Sequence, residues 1–277
     1  MTADVPRARL DALPPLGDAA VAIGVFDGVH RGHQTLLQAL RDAAAALAVE
    51  PVAILLDPHP REVVARGTRV ARGTRVARLT APSETARLVA AERVSAMVVE
   101  FDVRLSRLSP EEFLEAVAPA VRIRTLVMTA ESAFGHRRAG TLARAVEIGR
   151  ERGITVHEAA IVREAGEPIS SSRARAAVAA GDLHRAAHLL GRRHAVTGEL
   201  AASGAALWTL APGYLAALPP PGRYPVSIQG VSHGPEPGVL EIAVDALRVG
   251  FTRPTAPADE PLRARIHFDV RRPGPPA

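Results

Sequence analysis

The chain of 277 residues is 47% apolar, so it is long enough to bury one large core or two modest ones, and we expect two. It contains no cysteine or lysine, which excludes disulfides, thiolate catalysis, cysteine-ligated metals and lysine-dependent chemistry such as a Schiff base. The net charge of +5 does not predict a nucleic-acid partner, because the arginines are scattered among acidic residues and only 3% of residues are aromatic and could stack on bases.

Residues 1–18 are predicted to form a separate N-terminal segment. They carry acids and prolines without an apolar run, and nowhere do about 18 consecutive apolar residues occur. We therefore expect no export signal, no membrane partner and a cytoplasmic location.

From residue 19 to 191, short apolar runs alternate with helical patterns, which predicts an α/β domain with a parallel sheet. The predicted strands are Ala20–Phe26, Val52–Leu56, Ala96–Glu100, Thr125–Met128 and Thr155–Glu158. The predicted helices are Gln34–Val49, Ser83–Glu92, a helix with Ser109 as N-cap, Ala139–Arg152, and two short helices within Ser170–Leu190 that break at Gly181.

A hexamer repeat interrupts this pattern, because Ala65–Val70 and Ala71–Val76 have the same sequence. Two copies are too few for a solenoid, which needs at least three stacked units. We interpret the repeat as a duplicated stretch in a flexible loop.

The character of the chain changes at residue 192, where proline and glycine become frequent. Short strand-like runs follow, such as Arg223–Ile228 and Val239–Val244. We predict a small, β-rich, barrel-like module over residues 192–270 and a disordered tail over 271–277.

The clearest chemical pattern lies between the first predicted strand and helix, in the sequence Asp27-Gly-Val-His-Arg-Gly-His33. Backbone N–H groups at a helix start attract anions, and glycine lets the backbone approach a phosphate closely. His30 and His33 are three residues apart, so both can face a phosphate that is being transferred. A metal site is disfavoured, because no third ligand is nearby in sequence.

Four blocks of sequence, in order along the chain, resemble the bacterial FAD synthetase module found in bifunctional riboflavin kinase/FMN adenylyltransferases. The first block contains the family's HxGH motif as His30, Gly32 and His33. The blocks are Gly24–Leu37, Asp57–Val63, Leu108–Phe113, and Ile169–Arg175 with its continuation to Arg192. Together they cover roughly residues 20 to 198.

The resemblance implies a Rossmann-like nucleotidylyltransferase fold that moves the AMP moiety of ATP to FMN, with Mg²⁺, giving FAD and pyrophosphate. Such a transfer needs alignment and charge neutralisation but no protein nucleophile. The implied catalytic residues are His30, His33 and Arg173. The implied ATP-binding residues are Gly24, Val25, Phe26, Asp27, Gly32, Ser170, Ser171 and Ser172. The implied acceptor-binding residues are Asp57, Pro58, His59, Pro60, Glu131 and Phe134; no protein ligand for the metal is predicted.

Two regions depart from the family pattern. The family's flavin site is lined by a segment Gly-x-Asp/Asn-Phe-x-Phe-Gly. In this chain, Thr129 replaces the first glycine, Glu131 replaces the acid or amide, and Ser132 replaces the first aromatic residue. The kinase segment Gly-Phe-Pro-Thr-Ala-Asn has no counterpart in residues 198–210, although Leu218–Val226 resembles a later strand start. We therefore predict a barrel remnant without kinase chemistry.

Three alternatives stay open. The altered segment around Glu131 is compatible with a nucleotidylyltransferase that acts on a different phosphorylated small molecule. A bifunctional enzyme is possible if other residues have replaced the kinase residues. A catalytically silent, nucleotide-binding regulatory protein would use the barrel as an interaction surface, but the retained His-Arg-Gly-His and Ser-Ser-Ser-Arg blocks argue against it.

Overall fold

The computed structural model describes residues 7–9, 12, 15–66, 75–203, 207–230, 234–251 and 262–270. Its contacts divide the chain into two compact units. The first unit comprises Met1–Val76 and Pro82–Ile169, and the second comprises Ala77–Ala81 and Ser170–Ala277. The predicted boundary at residue 191 thus falls inside the second unit. Among the described residues, no helix is long and apolar enough to cross a membrane.

The first unit is built on a parallel sheet, as the alternating sequence pattern predicted. The strands of this sheet are β1 (Arg7–Ala8), β2 (Asp18–Gly24), β3 (Glu50–Asp57), β4 (Ser95–Glu100), β5 (Arg122–Met128) and β8 (Thr155–Glu158). Two short pairs lie outside it, β6 (Ala133–Phe134) with β7 (Gly140–Thr141), and β9 (Arg163–Glu164) with β10 (Glu167–Pro168). The sheet order is β1-β4-β3-β2-β5-β8. Strands β3 and β4 extend the sheet on one side of β2, and β5 and β8 extend it on the other, so the strand order reverses between β2 and β5.

Helices cover both faces of this sheet. They are α1 (Arg31–Leu47), α2 (Pro60–Arg66), α3 (Pro82–Ala91), α4 (Pro110–Val117) and α5 (Leu142–Arg152). The apolar residues of α1 and α3 pack on one face of the sheet, and those of α4 and α5 pack on the other. Ser109 caps α4 as predicted, since its Oγ accepts from Glu112 N and the Glu112 carboxylate accepts from Ser109 N.

Several elements of the first unit were not predicted, namely β1, α2 and the short strand pairs β6–β7 and β9–β10. Strand β1 has only two residues and pairs with β4, so its sequence carries no periodicity from which it could be found. Helix α2 begins at Pro60, a favourable first helical residue, and runs into the hexamer repeat. Residues 67–74 of the repeat lie outside the described residues, so its interpretation as a flexible loop stays a prediction.

The second unit contains α6 (Ser171–Ala179), α7 (Leu183–Leu190) and a closed barrel, which confirms the predicted β-rich module. The barrel strands are β11 (Ala195–Ala202), β12 (Leu207–Ala211), β13 (Gly222–Gln229), β14 (Glu236–Ile242), β15 (Leu247–Phe251) and β16 (Leu262–Phe268). Neighbours are antiparallel in the closed order β11-β12-β15-β14-β13-β16. Alternate side chains fill the interior, among them Trp208 and Leu210 of β12. The predicted tail over 271–277 lies outside the described residues.

Candidate active site

The turn after Gly24 leads from β2 into α1 at the carboxyl edge of the sheet. Its position is set by register, because Gly24 pairs with Leu55 of β3, and Asp57 of β3 pairs with Glu100 of β4. The ends of these three strands therefore lie along one edge, beside the point where the strand order reverses. Open α/β sheets bind their ligands at this place.

The backbone of the turn is strained. Phe26, Gly28 and Val29 have φ angles of 53°, 81° and 37°, in the left-handed region that residues with a β-carbon rarely adopt. The side chains of Phe26 and Val29 are each only 2% exposed, so their burial holds this conformation. Residues in such conformations, which cost about 1–3 kcal/mol each, cluster at functional sites.

His30 caps α1, and this contact fixes the position of its proton. The backbone N–H of His33 donates to His30 Nδ1 at 3.3 Å, which satisfies one of the N–H groups that have no carbonyl partner within the helix. An accepting Nδ1 carries no proton, so the neutral ring carries its proton on Nε2. The Nε2–H group is thus the donor of the neutral His30 ring.

The two histidines of the turn form a stacked pair. Their ring centroids are 3.6 Å apart with an interplanar angle of 19°, and the Phe26 ring lies 5.0 Å from the His33 ring. The pair lies at the N-terminus of α1, where the partial positive charge of the helix dipole favours an anion. The arrangement therefore suits a phosphate ligand.

Close approaches of other groups favour glycine at positions 24 and 32. A β-carbon at Gly24 would lie 3.0 Å from the Phe26 ring. One at Gly32 would lie 3.1 Å from the carbonyl oxygen of Ile169 and 3.2 Å from the His30 ring. Larger residues at these positions would displace the groups that shape the turn.

Asp57–Pro60, predicted to bind the acceptor, lie at the end of β3 on the same sheet edge. The Asp57–Pro58 peptide is cis. The carbonyl of Asp57 accepts from Phe101 N at 2.9 Å, and His59 Nδ1 accepts from Arg61 N at 3.1 Å at the start of α2. The structure thus brings these residues to the edge that holds the turn, and their contact with an acceptor stays a prediction.

Glu131 and Phe134, also predicted to bind the acceptor, lie in the connection between β5 and α5 but in different surroundings. Thr129 and Ser132 close this connection, with Ser132 Oγ accepting from Thr129 N at 3.1 Å and lying 2.8 Å from Thr129 Oγ1. Glu131 is exposed, whereas Phe134 is 7% exposed and packs against Phe113, with ring centroids 5.8 Å apart. The Phe134 ring therefore holds the connection to the core.

Ser170–Arg173, the other predicted ATP-binding block, begins α6 in the second unit. Ser170 caps α6, since its Oγ accepts from Arg173 N at 3.3 Å. Ser171 is in the first turn, and the exposed Ser172 accepts from the Arg175 guanidinium at 3.3 Å. Hydroxyls and N–H groups at a helix start favour anions, and the joint action of this block with His30 and His33 stays a prediction.

Gln34 supports the turn and was missed by the sequence reasoning. Its side-chain amide donates to the carbonyl of Val29 at 3.0 Å and so ties the strained backbone to α1. Gln34 lies four residues after His30 and therefore on the same side of the helix, and this spacing could have identified it as a residue near the turn. Within the part of the chain that the structure describes, no group of three or more metal-ligating side chains occurs. A Mg²⁺ ion that arrives on nucleotide phosphates needs few protein ligands.

The sheet is doubly wound, and a strained turn, a histidine pair and a helix N-terminus lie where its strand order reverses. This combination is typical of a nucleotide-phosphate-binding protein of the nucleotidyltransferase class. The family model described as FAD synthetase matches residues 14–173, more than half of the chain. The chain belongs to the FAD synthetase family of nucleotidyltransferases, with a C-terminal barrel like that of riboflavin kinase.

Relatives support this membership. A bifunctional riboflavin kinase/FMN adenylyltransferase from Pseudomonas fluorescens is 33% identical over 64% of this chain and 56% of its own length. The Escherichia coli K12 protein of the same description is 30% identical over 87% of this chain and 75% of its own length. The chain thus spans little more than half of the first relative and three quarters of the second.

A solved structure resembles the chain in fold. The crystal structure of a protein described as a macrolide-efflux protein from Streptococcus pneumoniae has a TM-score of 0.76 and covers 95% of this chain and 97% of its own. Its sequence identity is only 18%, so the likeness is one of fold alone.

Proposed function

We propose that the chain transfers the adenylyl group of ATP to FMN, releasing FAD and pyrophosphate, and that it lacks riboflavin kinase activity. The observation that supports the transfer most strongly is the stacked pair of His30 and His33 at the N-terminus of α1, within the region that matches the FAD synthetase family. We further propose that the protein acts in the cytoplasm and that ATP binds as its magnesium complex.

The proposed reaction is an in-line displacement at the α-phosphorus of ATP. A phosphate oxygen of FMN forms the new P–O bond, the bond from the α-phosphorus to the bridging oxygen breaks, and pyrophosphate leaves with its negative charge. The protein's task is to align the two phosphates and neutralise the developing charge. His30 Nε2–H, His33, the N–H groups of α1 and the Arg173 guanidinium are the proposed donors.

For the acceptor, we propose that Asp57–Pro60 and Glu131 line its binding site at the carboxyl edge of the sheet. Both segments follow strands that end at this edge, β3 and β5. Phe134 would act indirectly, because its ring packs in the core and fixes the connection that carries Glu131.

The proposed loss of kinase activity rests on the barrel. Where the family's Gly-Phe-Pro-Thr-Ala-Asn segment is expected, strand β12 turns Trp208 and Leu210 into the interior, where they are 2% and 3% exposed. The sequence contains no asparagine, so the asparagine of that segment is missing. The barrel interior is filled by packing instead.

Two parallel incubations test both parts of the proposal. ATP, Mg²⁺ and FMN should give equal amounts of FAD and pyrophosphate, while ATP, Mg²⁺ and riboflavin should leave riboflavin unchanged, as measured by chromatography. The His33→Ala variant serves as the control for contaminating enzymes. Unchanged FMN would show that the acceptor is wrong, and formation of FMN from riboflavin would show that the kinase is active.

A second candidate is transfer to a different phosphorylated small molecule. It is favoured by the polar connection after β5, where the hydroxyls of Thr129 and Ser132 bond to each other and the Glu131 carboxylate lies 3.8 Å from Arg163. A hydrophilic acceptor would suit these groups better than an aromatic ring system. Pyrophosphate release with other phosphorylated acceptors, in the absence of turnover with FMN, would favour this candidate.

A further inference from the structure

Arg107 and Arg137, here called the arginine pair, lie in two connections of the first unit that both leave the sheet at its carboxyl edge. Arg107 ends a short 3₁₀ turn, Leu105–Arg107, between β4 and α4. Arg137 lies between β6 and β7, in the connection that follows β5. The two connections are joined through the backbone, because His136 N donates to the carbonyl of Leu108 at 2.6 Å. Each arginine is the direct chain neighbour of one of these bonded residues, so the two backbones lie close together.

The arginine pair lies beside the segments proposed to bind the acceptor. In the sheet, β3 and β2 stand between β4 and β5, so the two joined connections meet past the ends of β3 and β2. Helix α2, which follows Asp57–Pro60, packs against the 3₁₀ turn, with Val63 and Leu105 in one core cluster. On the other side, Arg138 Nη2 donates to the carbonyl of Glu131 at 3.0 Å. Both acceptor segments are thus tied to the elements that carry the pair.

The backbone that presents Arg137 is strained. Arg137 and Arg138 have φ angles of 51° and 62°, in the left-handed region, and both side chains are exposed. Burial therefore does not hold them, in contrast to Phe26 and Val29. The pairing of β6 with β7 closes the loop around them instead. Because such conformations cost about 1–3 kcal/mol per residue and cluster at functional sites, the strain indicates a use for these exposed cations.

The positive charge of the arginine pair is not neutralised by the part of the chain that the structure describes. Within that part, neither Arg107 nor Arg137 forms an ion pair or a side-chain hydrogen bond, and both are exposed. The acidic residues nearest to them in the two connections already have partners: Asp102 accepts from Leu105 N, Glu112 from Ser109 N and Glu111 from Arg144, and Glu131 lies 3.8 Å from Arg163. The pair consequently creates a positive potential at this edge of the sheet.

Phosphate is the anion that best fits such a surface. A guanidinium group is planar and always charged, and it can donate two parallel hydrogen bonds to one phosphate. Both substrates of a nucleotidyl transfer bring phosphate groups to the carboxyl edge. The donors proposed for ATP lie at the turn before α1, whereas the arginine pair adjoins the acceptor segments. The phosphate of the acceptor is therefore the ligand that its position favours.

We infer that the arginine pair recruits the phosphorylated acceptor to the carboxyl edge by attracting its phosphate group. Charged surfaces beside a site raise the local concentration of an oppositely charged substrate, and salt screens this attraction. The choice of FMN as the acceptor rests on the proposed function. The attraction of a phosphate-bearing ligand to the pair does not.

The experiment compares Arg107→Gln, Arg137→Gln and the double variant with Arg150→Gln. Arg150 is an exposed arginine in the last turn of α5, so its substitution removes the same charge from the same unit, at the opposite edge of the sheet. The Kd values for FMN and for riboflavin, which lacks the phosphate, are measured by quenching of flavin fluorescence, and the Kd for inorganic pyrophosphate by calorimetry. The KM values for FMN and ATP are measured in parallel. Each measurement is made at about 0.05 M and about 0.5 M NaCl.

At the lower salt concentration, each single variant should weaken FMN binding about threefold and the double variant about tenfold, with the KM for FMN rising in parallel. Riboflavin binding and the KM for ATP should stay within about twofold, as should all values for Arg150→Gln. At the higher salt concentration, the difference between the wild type and the double variant should largely disappear.

Four results would overturn the inference. They are equal losses for FMN and riboflavin, which indicate a structural role; a double variant that matches Arg150→Gln; a difference that persists at high salt; and a rise in the KM for ATP instead of FMN, which makes the nucleotide the ligand. If the wild-type protein neither binds nor converts FMN, the proposed function fails, and pyrophosphate decides the surface separately. Binding of pyrophosphate that is weakened in the double variant but not in Arg150→Gln supports a phosphate-attracting pair, and equal binding by both overturns it.

Discussion

The turn at the start of α1 and the barrel both depend on buried histidines, yet the two environments give these side chains opposite roles. In the turn, His30 accepts from the backbone through Nδ1 and so carries its proton on Nε2. In the barrel unit, His194 donates its Nε2 proton to the Ala217 carbonyl. Burial lowers the pKa of His194 to about 4, and nearby Arg192 adds to this shift. The comparison teaches that the partner of each ring nitrogen, rather than the residue type, decides whether a histidine can do chemistry.

The backbone of the turn is irregular, whereas the backbone of the barrel is regular. Phe26 and Val29 hold left-handed φ angles next to the histidine pair, whereas β12 follows a regular alternation that buries Trp208 and exposes Leu207. The turn that is expected to bind a phosphate thus contains two strained residues, whereas the described barrel strands have no positive φ angle at a residue other than glycine. Substitutions should therefore affect activity in the first region and stability in the second.

The largest expected effect is on stability. Trp208→Ala should lower the free energy of unfolding of the second unit by about 3–5 kcal/mol, because it leaves a cavity in the barrel and removes the contact with Phe251. Since Trp208 is the only tryptophan, unfolding is followed by circular dichroism rather than fluorescence. Leu207→Ala, at the adjacent outward position, is the control, and a similar cost for both variants would contradict the described interior.

The next effect is on turnover. His33→Ala should reduce kcat by about 10²–10³-fold, corresponding to the loss of one preorganised donor in the transition state, with little change in stability. The measurement is the initial rate of FAD formation beside a thermal unfolding curve. His136→Ala, at an exposed histidine, should retain normal turnover. A loss smaller than about tenfold for His33→Ala would remove His33 from the proposed mechanism.

His194 should make the stability of the second unit pH-dependent. Because its pKa is about 4 in the folded protein and 6.5 in the unfolded chain, the unfolded chain binds the extra proton between these values. The free energy of unfolding should consequently fall by about 3 kcal/mol as the pH drops from about 6.5 to 4, and it should be unaffected by this group above that window. Urea unfolding at several pH values should show a shallower acid decline for His194→Gln. Parallel pH curves for the two proteins would refute this assignment.

A smaller effect separates the two roles of His30. His30→Ala removes the cap of α1 and should cost about 1 kcal/mol of stability in addition to its effect on rate. His30→Asn keeps a capping side chain and should recover that stability while turnover stays low. Recovery of turnover together with stability would mean that His30 acts only as a cap.

Local patterns in the sequence were sufficient to predict much of the first unit. Strand β8 has the predicted bounds, and Ser109 caps α4 as its proline and acids indicated. Helix α1, however, begins at Arg31 rather than Gln34, because His30 is an unusual cap that depends on its tautomer. Histidines and glycine interrupt the apolar helical pattern between residues 30 and 33. This interruption made the HxGH motif stand out, and it also moved the predicted helix start to Gln34.

Features that depend on long-range contacts could not be predicted from local patterns. Residues 77–81 belong to the second unit and pair with the chain near residue 216, and nothing in their own sequence specifies such a partner. Phe134 was assigned to the acceptor site from its family motif, and its packing against Phe113 of α4 could not be predicted from that motif. Residues chosen by motif still need the fold to separate ligand contacts from packing.

The hexamer repeat offers the smallest expected effect. Deleting residues 67–72 leaves one copy of the hexamer between α2 and Val76. Loop-closure entropy changes slowly with length, so stability should change by less than about 1 kcal/mol and the KM for FMN by less than about twofold. Glu62→Ala, which removes the acceptor for Val76 N without shortening the chain, should have the larger effect on both quantities. If the deletion proves more damaging than Glu62→Ala, the repeat itself contributes to the site, and the contact between Glu62 and Val76 matters less than the length of the chain between them.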